Sequence, residues 1–485
     1  MHFPERIYGL EFEYGVMNQS QCGIFYESTE QEMLQSILRP LGDSVSGGFP
    51  RARIWHTNGS CSYVDTGSHP EHATAECLSV RDAIIYAKAG DILMNRIFAC
   101  AYSPDKVTHL FKNNLAYNHD PLKGYVTFGC HENYHIASQS LSMHRLIPLL
   151  ISRQIIDGAG WWHKNPLSDD VCYALSQRGL IIESEISPST IQNRGILNNK
   201  EVNDTGPAPR LHLILGDSNI LEFAMYLKLG TVSLVLSLIE NKKVPHIPCM
   251  DPVTALQKIT LHGDPFDPCI GETDASRKSP FDIQTIYLQA AQKELMHGSF
   301  ASEKTEAELK HIGLCWEQAL NAIYNRDIPW MIGRFDHVTK KSMIDREVAR
   351  NHITDSSEAF LFRKNLDIFY HDITHGAWQK RMNAAWPDKR IVTDAEIERA
   401  VTEPPINTRA NMRSRFLKLA IEHNFAGSIG IDWAVCHLKH PETNFDLPDP
   451  FLYESSEFDA FLMQLPASCK NASPGHDDKD NYNIE

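Results

Sequence analysis

The chain has 485 residues, of which 42% are hydrophobic and 22% charged, with 27 glycines and 26 prolines. This composition fits one large domain with an appendage, or two to three domains, and excludes disordered, collagen-like and membrane-embedded chains. Its 46 basic residues stand against 61 acidic ones, a net charge of -15, which argues against broad nucleic-acid binding and leaves room only for a local basic groove.

Residues Met1 to Gly9 lack a basic region followed by an apolar stretch, and Glu5 and Arg6 stand where a signal sequence would be apolar, so the chain is expected to stay in the cytoplasm. From Arg6 to Gly15 acidic and bulky residues alternate, the pattern of a strand with Glu11 and Glu13 on one face. Cys61 to Asp65 reads as a second strand with Tyr63 and Asp65 on one face, before a break at Thr66-Gly67. Leu78 to Ala99 is helical in pattern, Tyr125 to Ile136 strand-like, Leu146 to Asp157 helical and Arg210 to Gly216 strand-like. The most apolar runs, Leu146 to Ile151 and Val232 to Ile239, are too short to span a bilayer, and no transmembrane helix is expected.

From Pro280 to Arg326 the pattern is helical, with Leu309, Ile312, Trp316, Ala319 or Leu320, and Ile323 in a core-facing stripe. Thr393 and Glu396 form a capping box opening a helix that Pro404-Pro405 must end, and a domain boundary is expected there. The segment Lys470 to Glu485 has little apolar content and is expected to be a disordered tail. The eleven cysteines are scattered, with no Cys-x-x-Cys pair, which suits reduced thiols better than a disulfide or zinc framework.

Several polar groups could carry chemistry: Glu11 with Glu13, Tyr63 with Asp65, His69-Pro-Glu71, Cys130-His-Glu-Asn-Tyr134, and His212. Together they offer many hard oxygen donors and a few imidazoles, a set suited to Mg2+ or Mn2+ beside phosphate rather than to a closed zinc site. Taken singly, an exposed strand face accounts for Glu11 and Glu13 equally well, and a hydrogen-bonded core position for His212. No P-loop, Rossmann glycine motif or Gly-x-Ser-x-Gly elbow is present. Cys61, Cys77 and Cys130 lie near these clusters, but structural burial is the commoner role of such cysteines.

The segments Gly9-Leu-Glu-Phe-Glu-Tyr-Gly15, Asn58-Gly59, Tyr63-Val-Asp-Thr-Gly-Ser-His-Pro-Glu71, Ala73-Thr-Ala-Glu-Cys77, Leu110-Phe-Lys-Asn-Asn114 and Gly129-Cys-His-Glu-Asn-Tyr134 occur in this order. Ser152-Arg-Gln154, Leu175-Ser-Gln-Arg178, Arg210-Leu-His-Leu-Ile-Leu-Gly-Asp-Ser-Asn219, Leu227-Lys-Leu-Gly-Thr231, Tyr370-His-Asp372, Pro404-Pro405, Thr408-Arg-Ala410 and Ile431-Asp-Trp433 follow. Jointly they resemble the Pup ligase and depupylase family over nearly the whole chain except the tail.

The resemblance implies an α+β fold in which a glutamine-synthetase-like curved antiparallel sheet, backed by helices, cradles ATP and Mg2+ (or Mn2+). Residues 1–402 would form this catalytic domain, 403–469 a small C-terminal domain and 470–485 the tail. Family ligases attach the C-terminal glutamate of the small protein Pup to lysines of target proteins in the route to proteasomal degradation, and depupylases remove or deamidate Pup. The spacing Asp65-Thr-Gly-Ser-His-Pro-Glu71 and the short segment between Gly15 and Asn58 resemble the ligase branch.

Residue by residue, the resemblance makes Glu11, Tyr63 and Glu71 metal ligands and Asp65 the catalytic base. It places Glu13, His131 and His212 near metal and phosphates, Thr74 and Trp433 at the nucleotide, and Arg409 at the nucleotide or its phosphate. The implied partners are Pup or a Pup-like protein and lysine-bearing targets, with no nucleic acid and no membrane.

The chain also departs from the pattern. Ligases carry an arginine two residues before the metal-ligand tyrosine, where this chain has Cys61, and the stretch after Leu197 differs, with Lys200 and Glu201 roughly where the family has Arg and Asp. Neither cysteine nor lysine reproduces the planar fork of an arginine, and Lys112, Arg178 or Arg210 would be the replacements.

The implied reaction activates the carboxylate with ATP, because a free carboxylate does not acylate an amine in water. The lysine, with an ordinary pKa of about 10.4, must then lose a proton to a base. Three readings compete: a diverged carboxylate-amine ligase for a small molecule, a depupylase or deamidase, and a catalytically dead Pup-binding protein.

Overall fold

The alternation at the N-terminus builds strand β1 (Tyr8–Glu13), which sends Leu10 and Phe12 into the core and leaves Glu11 and Glu13 on the opposite face. The computed structural model describes residues 1–20, 25–27, 53–65, 67, 69–99, 106–116, 126–137, 142–165, 170–199, 209–271, 276–374, 377–423, 429–439 and 442–465. The expected tail at 470–485 and residues 200–208 lie outside these.

Seven further strands join β1: β2 (Arg53–Trp55), β3 (Cys61–Val64), β4 (Pro70–Ala73), β5 (Cys130–His135), β6 (Ser184–Ser187), β7 (Gly195–Asn198) and β8 (Arg210–Leu213). They lie in the order β6-β7-β8-β5-β1-β4-β3-β2. Every pairing is antiparallel except β6 with β7, an edge pair that is parallel. The sheet is therefore mixed, antiparallel but for one edge pair, where the resemblance implied an antiparallel one. The chain returns from β6 to β7 through a short loop with Asn193 in the left-handed region at φ 49°.

All four strand expectations shorten, the second by one residue to end at Val64 and the fourth to end at Leu213. The first ends at Glu13, because Tyr14 turns inward to donate to Asp91 (3.1 Å), and Gly15–Ser20 then leaves for a separate three-stranded sheet with Phe25–Glu27 and Lys106–Phe111. The third starts at Cys130, since Thr127 is occupied in a lone bridge with Leu115; Tyr125 lies outside the described residues.

Helices cover the side of the sheet away from Glu11 and Glu13. Helix α1 (Val80–Ala99) packs under β1 and β4. The pattern from Leu146 to Asp157 resolves into short helices, including α2 (Ile147–Ser152) and α3 (Gln154–Asp157), around the inward turn of Arg153. Helix α4 (Glu222–Glu240) contains the apolar run Val232 to Ile239 and is longer than that run suggested. By length and composition it could cross a membrane, but its apolar stretch is wholly buried in the fold, so it is a core helix.

The helical region from 280 to 326 is two helices, α5 (Pro280–His297) and α6 (Glu303–Tyr324). They are interrupted at Gly298 because Ser299–Phe300 pairs with His2–Phe3 as a short parallel ladder. The expected stripe on α6 is buried throughout. The capping box forms at Thr393 and Glu396, but its helix, α7 (Asp394–Ala400), stops before the prolines. There the carbonyl of Ala400 accepts a hydrogen bond from the buried Asn58 side chain (2.8 Å).

Past the prolines, α8 (Arg409–Glu422), strands β9 (Ile429–Asp432), β10 (Val435–Lys439) and β11 (Glu442–Asp446), and α9 (Ser456–Leu462) enclose a second apolar cluster. That cluster is built from Phe416, Ile431, Cys436, Phe458, Phe461 and their neighbours, and it takes in Trp55 of β2 and Cys61 of β3. The C-terminal segment is thus packed on one edge of the large sheet.

Candidate active site

Strand register gathers the polar residues on one face. Glu13 stands opposite Glu71, Glu71 opposite Tyr63, and Tyr63 opposite Arg53. Glu11 stands opposite His131, and His212 opposite Asn133. Residues directly opposed in antiparallel strands project to the same side, and here that side opens into a cavity of about 650 Å3. Glu11, Glu13, Tyr63, Asp65, Glu71, Thr74, His131, His212, Arg409 and Trp433 all line it. The sequence therefore selected ten residues from seven separate segments that the fold brings to one place.

Around Glu11 the partners are cationic or donors: His131 Nδ1 at 3.2 Å, Asn133 Nδ2 at 3.0 Å, Arg210 at 3.5 Å and His212 Nε2 at 3.8 Å. Burial pushes its carboxyl upward, but the hydrogen bond from His131 and the charges of His212 and Arg210 outweigh it and hold the pKa below the usual range. Glu71 is the opposite case. Burial raises it, and Glu11, Glu13 and Asp65 add like charge, so its carboxyl lies well above the usual range. Tyr63 is raised as well, by burial and then by Glu71 and Glu11.

Asp65 follows β3 and closes a tight turn in which its Oδ1 accepts the backbone N–H of His69 (2.8 Å) and its own N–H donates to the His69 carbonyl (2.9 Å). Its pKa is raised by burial and by Glu13, with the backbone N–H groups of His69 and Gly67 opposing. The same turn delivers the His69 imidazole to Glu13, with Nδ1 3.0 Å from Oε2. Close approach to this cluster also explains Gly129, where a Cβ would stand 2.7 Å from both Glu13 Oε1 and His131 Nε2.

The nucleotide candidates sit along the cavity toward the C-terminal segment. Thr74 Oγ1 accepts the Leu10 N–H (3.0 Å). Trp433 packs edge-on against Trp55 at 4.9 Å and lies 5.1 Å from the Arg413 guanidinium. Arg409 donates to Glu76 Oε1 (2.7 Å) and to the Leu447 carbonyl (2.7 Å), and Arg413 clamps Glu76 from the other side. Burial pushes Glu76 upward, yet the two guanidiniums bring it down to about 2. Gly59, at φ +81°, makes the turn that lets α8 approach: a Cβ there would meet Ala410 at 2.8 Å.

Sequence reasoning missed Arg53, Glu76 and Arg413 as members of this neighbourhood, and it singled out the runs holding His69 and Asn133 without giving either residue a role. Glu76 was inside a quoted motif, whereas Arg53 carried no sequence signal at all. Of the three expected replacement cations, only Arg210 reaches the cavity. Lys112 is buried below the sheet, on Asp91 (2.9 Å) and over the Phe12 ring (3.7 Å). Arg178 is spent on the carbonyls of Ile214 (2.7 Å) and Phe128 (2.9 Å). Cys61 is a buried thiol whose pKa burial pushes up to about 12, and burial also raises Cys77 well above the usual thiol range, which disfavours both as nucleophiles.

Among the described residues two groups could hold divalent cations: Glu11, His131 and His212, and Glu13, Asp65 and His69, each with donor atoms within 4.8 Å of one another. Glu71 stands opposite Glu13 in the register, and the crowding of its charge with Glu11, Glu13 and Asp65 is what a cation would relieve. The two groups offer carboxylate oxygens and imidazole nitrogens in equal number, with Glu71 as a further carboxylate beside them, and the oxygen donors fit Mg2+ or Mn2+.

A family model described as Pup-ligase protein matches residues 6–437. The Pup–protein ligase of Corynebacterium aurimucosum is 31% identical over 95% of this chain and 96% of its own length. The solved complex between the prokaryotic ubiquitin-like protein Pup and its ligase PafA superposes with a TM-score of 0.82 at 29% identity, covering 96% of this chain and 93% of that one. The structure of the Pup ligase PafA in complex with ADP gives 0.74 at 29% identity, over 92% and 95%. Together with the ten converging residues, a match of this extent places the chain in the Pup-ligase protein family.

Proposed function

We propose that this protein is an ATP-dependent ligase that joins the γ-carboxylate of the C-terminal glutamate of Pup to a target lysine, acting in the cytoplasm. The observation that carries the reading is the convergence of Glu11, Glu13, Asp65, Glu71, Tyr63, His131 and His212 on one cavity that also holds Thr74, Trp433 and Arg409. Relatives that bind Pup and ADP supply the identity of the substrates.

In this reading Glu11, Tyr63 and Glu71 hold Mg2+, with Glu13, His131 and His212 beside them, and Mn2+ would fit the same donors. Bound there, the cation would neutralise phosphate charge and polarise the terminal phosphoryl group. Thr74, Trp433 and Arg409 hold the nucleotide. The carboxylate oxygen of the Pup glutamate attacks the terminal phosphorus, ADP leaves, and a γ-glutamyl phosphate results. Asp65 then takes a proton from the lysine ammonium; the free amine attacks the acyl carbon, and phosphate departs with the C–O bond electrons. Burial beside Glu13 suits Asp65 to this task by raising its proton affinity. Residues 1–402 form the catalytic unit and 403–469 the C-terminal one, which contributes Arg409 and Trp433.

The test is ADP release by the purified protein with Mg2+, with and without a Pup ending in glutamate and a lysine-bearing acceptor, with products read by intact mass. The expected result is Pup-dependent ADP release and an adduct one water lighter than its parts. Turnover indifferent to Pup would overturn the substrate, and no turnover would overturn the enzyme.

A further inference from the structure

We infer that Arg53 is a substrate-contacting residue that grips the polyphosphate of the bound nucleotide, an inference that rests on the proposed ATP-dependent reading. Arg53 lies on the outermost strand of the sheet, directly opposite Tyr63, and its guanidinium stands over the Tyr63 ring at 5.7 Å from the centroid. Its Nη1 donates to Asp432 Oδ1 at 3.2 Å, and Asp432 immediately precedes Trp433. The side chain therefore bridges the tryptophan proposed for the nucleotide and the carboxylate cluster proposed for the metal. A polyphosphate running between them passes this guanidinium.

Three arginines line the cavity, and their existing partners separate them. Arg409 is committed to Glu76, whose side chain is 11% exposed, and to a carbonyl. Arg210 is paired with Glu11, 18% exposed, and with Asn133. Arg53 pairs with Asp432, 36% exposed, in a pair that is itself open to solvent. Exposed ion pairs are weak and screened, so this pair yields to phosphate oxygens at little cost. The planar fork matches two phosphate oxygens. It also supplies positive charge on the side of the cavity opposite Arg210, where Glu13, Asp65 and Glu71 would otherwise repel a polyanion.

The experiment measures equilibrium binding of ATP, ADP and AMP, each with Mg2+, to the full chain and to Arg53→Met and Arg53→Lys. No Pup is present. Arg53→Met is expected to weaken ATP at least tenfold and ADP by less, to leave AMP within twofold, and Arg53→Lys to recover part of the loss. The steady-state counterpart is a raised KM for ATP with the KM for Pup unchanged. A structural role for Arg53 would weaken all three nucleotides alike, and contact with Pup would move the KM for Pup instead; either result overturns the inference. If wild type binds ATP and Arg53→Met binds it equally, only this inference falls. If wild type binds no nucleotide, the ligase reading falls and takes the inference with it.

Discussion

Asp65 and Glu76 show how environment divides carboxylates that look alike in sequence. Asp65 is partly buried beside Glu13 and held by backbone N–H groups in its turn, and its raised proton affinity is the property a base needs. Asp65→Asn is expected to lower isopeptide formation by about 10²- to 10⁴-fold while ATP binding stays within a few-fold, checked by intact-mass kinetics alongside nucleotide titration. Because the base must be ionised, wild-type ligation should fall as pH drops through the Asp65 pKa. Glu76 is the reverse, an anchor between two guanidiniums with its pKa lowered to about 2. An unfolded glutamate titrates near about 4.3, so this group stabilises the fold above that pH, and the stability is lost as pH falls toward 2. Glu76→Gln should remove that acid dependence and, by stranding Arg409 and the buried Arg413, cost about 3–5 kcal/mol at neutral pH, measurable by denaturant unfolding across pH.

At the scale of elements, strand register decides which side chains meet. Glu11 and Glu13 share a face by the two-residue period of a strand, and that much follows from local sequence. Their meeting with Glu71, His131 and His212 depends on which strands lie beside β1 and in what alignment. Gly129 permits this approach, just before β5, because no side chain stands between it and the Glu13 and His131 side chains. Gly129→Ala is expected to raise the Mg2+ concentration for half-maximal activity tenfold or more while changing the thermal midpoint by only a few degrees; an unchanged Mg2+ requirement would contradict the proposed metal site. Helices α5 and α6 show the complementary limit of pattern reading. The stripe on α6 was visible at 3.6-residue spacing, but the interruption at Gly298 was not, because its partner strand His2–Phe3 lies almost three hundred residues away.

For the molecule as a whole, the C-terminal segment and the sheet edge share a core. Phe458 is fully buried in the cluster that also contains Trp55 and Cys61. Phe458→Ala should destabilise the protein by about 3–5 kcal/mol. The shared core predicts a single calorimetric transition that shifts as one, with nucleotide affinity reduced because Trp433 packs on Trp55. Two separated transitions would show that 403–469 unfolds independently of the sheet. The arginine clamp on Glu76 links the same two regions, so the nucleotide candidates Arg409 and Trp433 are held to the sheet by both packing and charge.

Sequence by itself picked out the ten residues that line the cavity, the α+β class, the buried stripe of α6 and the capping box of α7. These depend on residue type, local period or motif order, all of which are written along the chain. Tertiary structure alone decided the rest. It turned Lys112 and Arg178 into buried supports, because burial and carbonyl partners come from distant segments. It made the β6–β7 pair parallel and the apolar α4 a core helix, since a chain's neighbours in space decide what its strands pair with and what its apolar residues are buried against. It also brought Arg53, unremarkable in sequence, opposite Tyr63 and beside Asp432, because long-range register places side chains that no local pattern can relate.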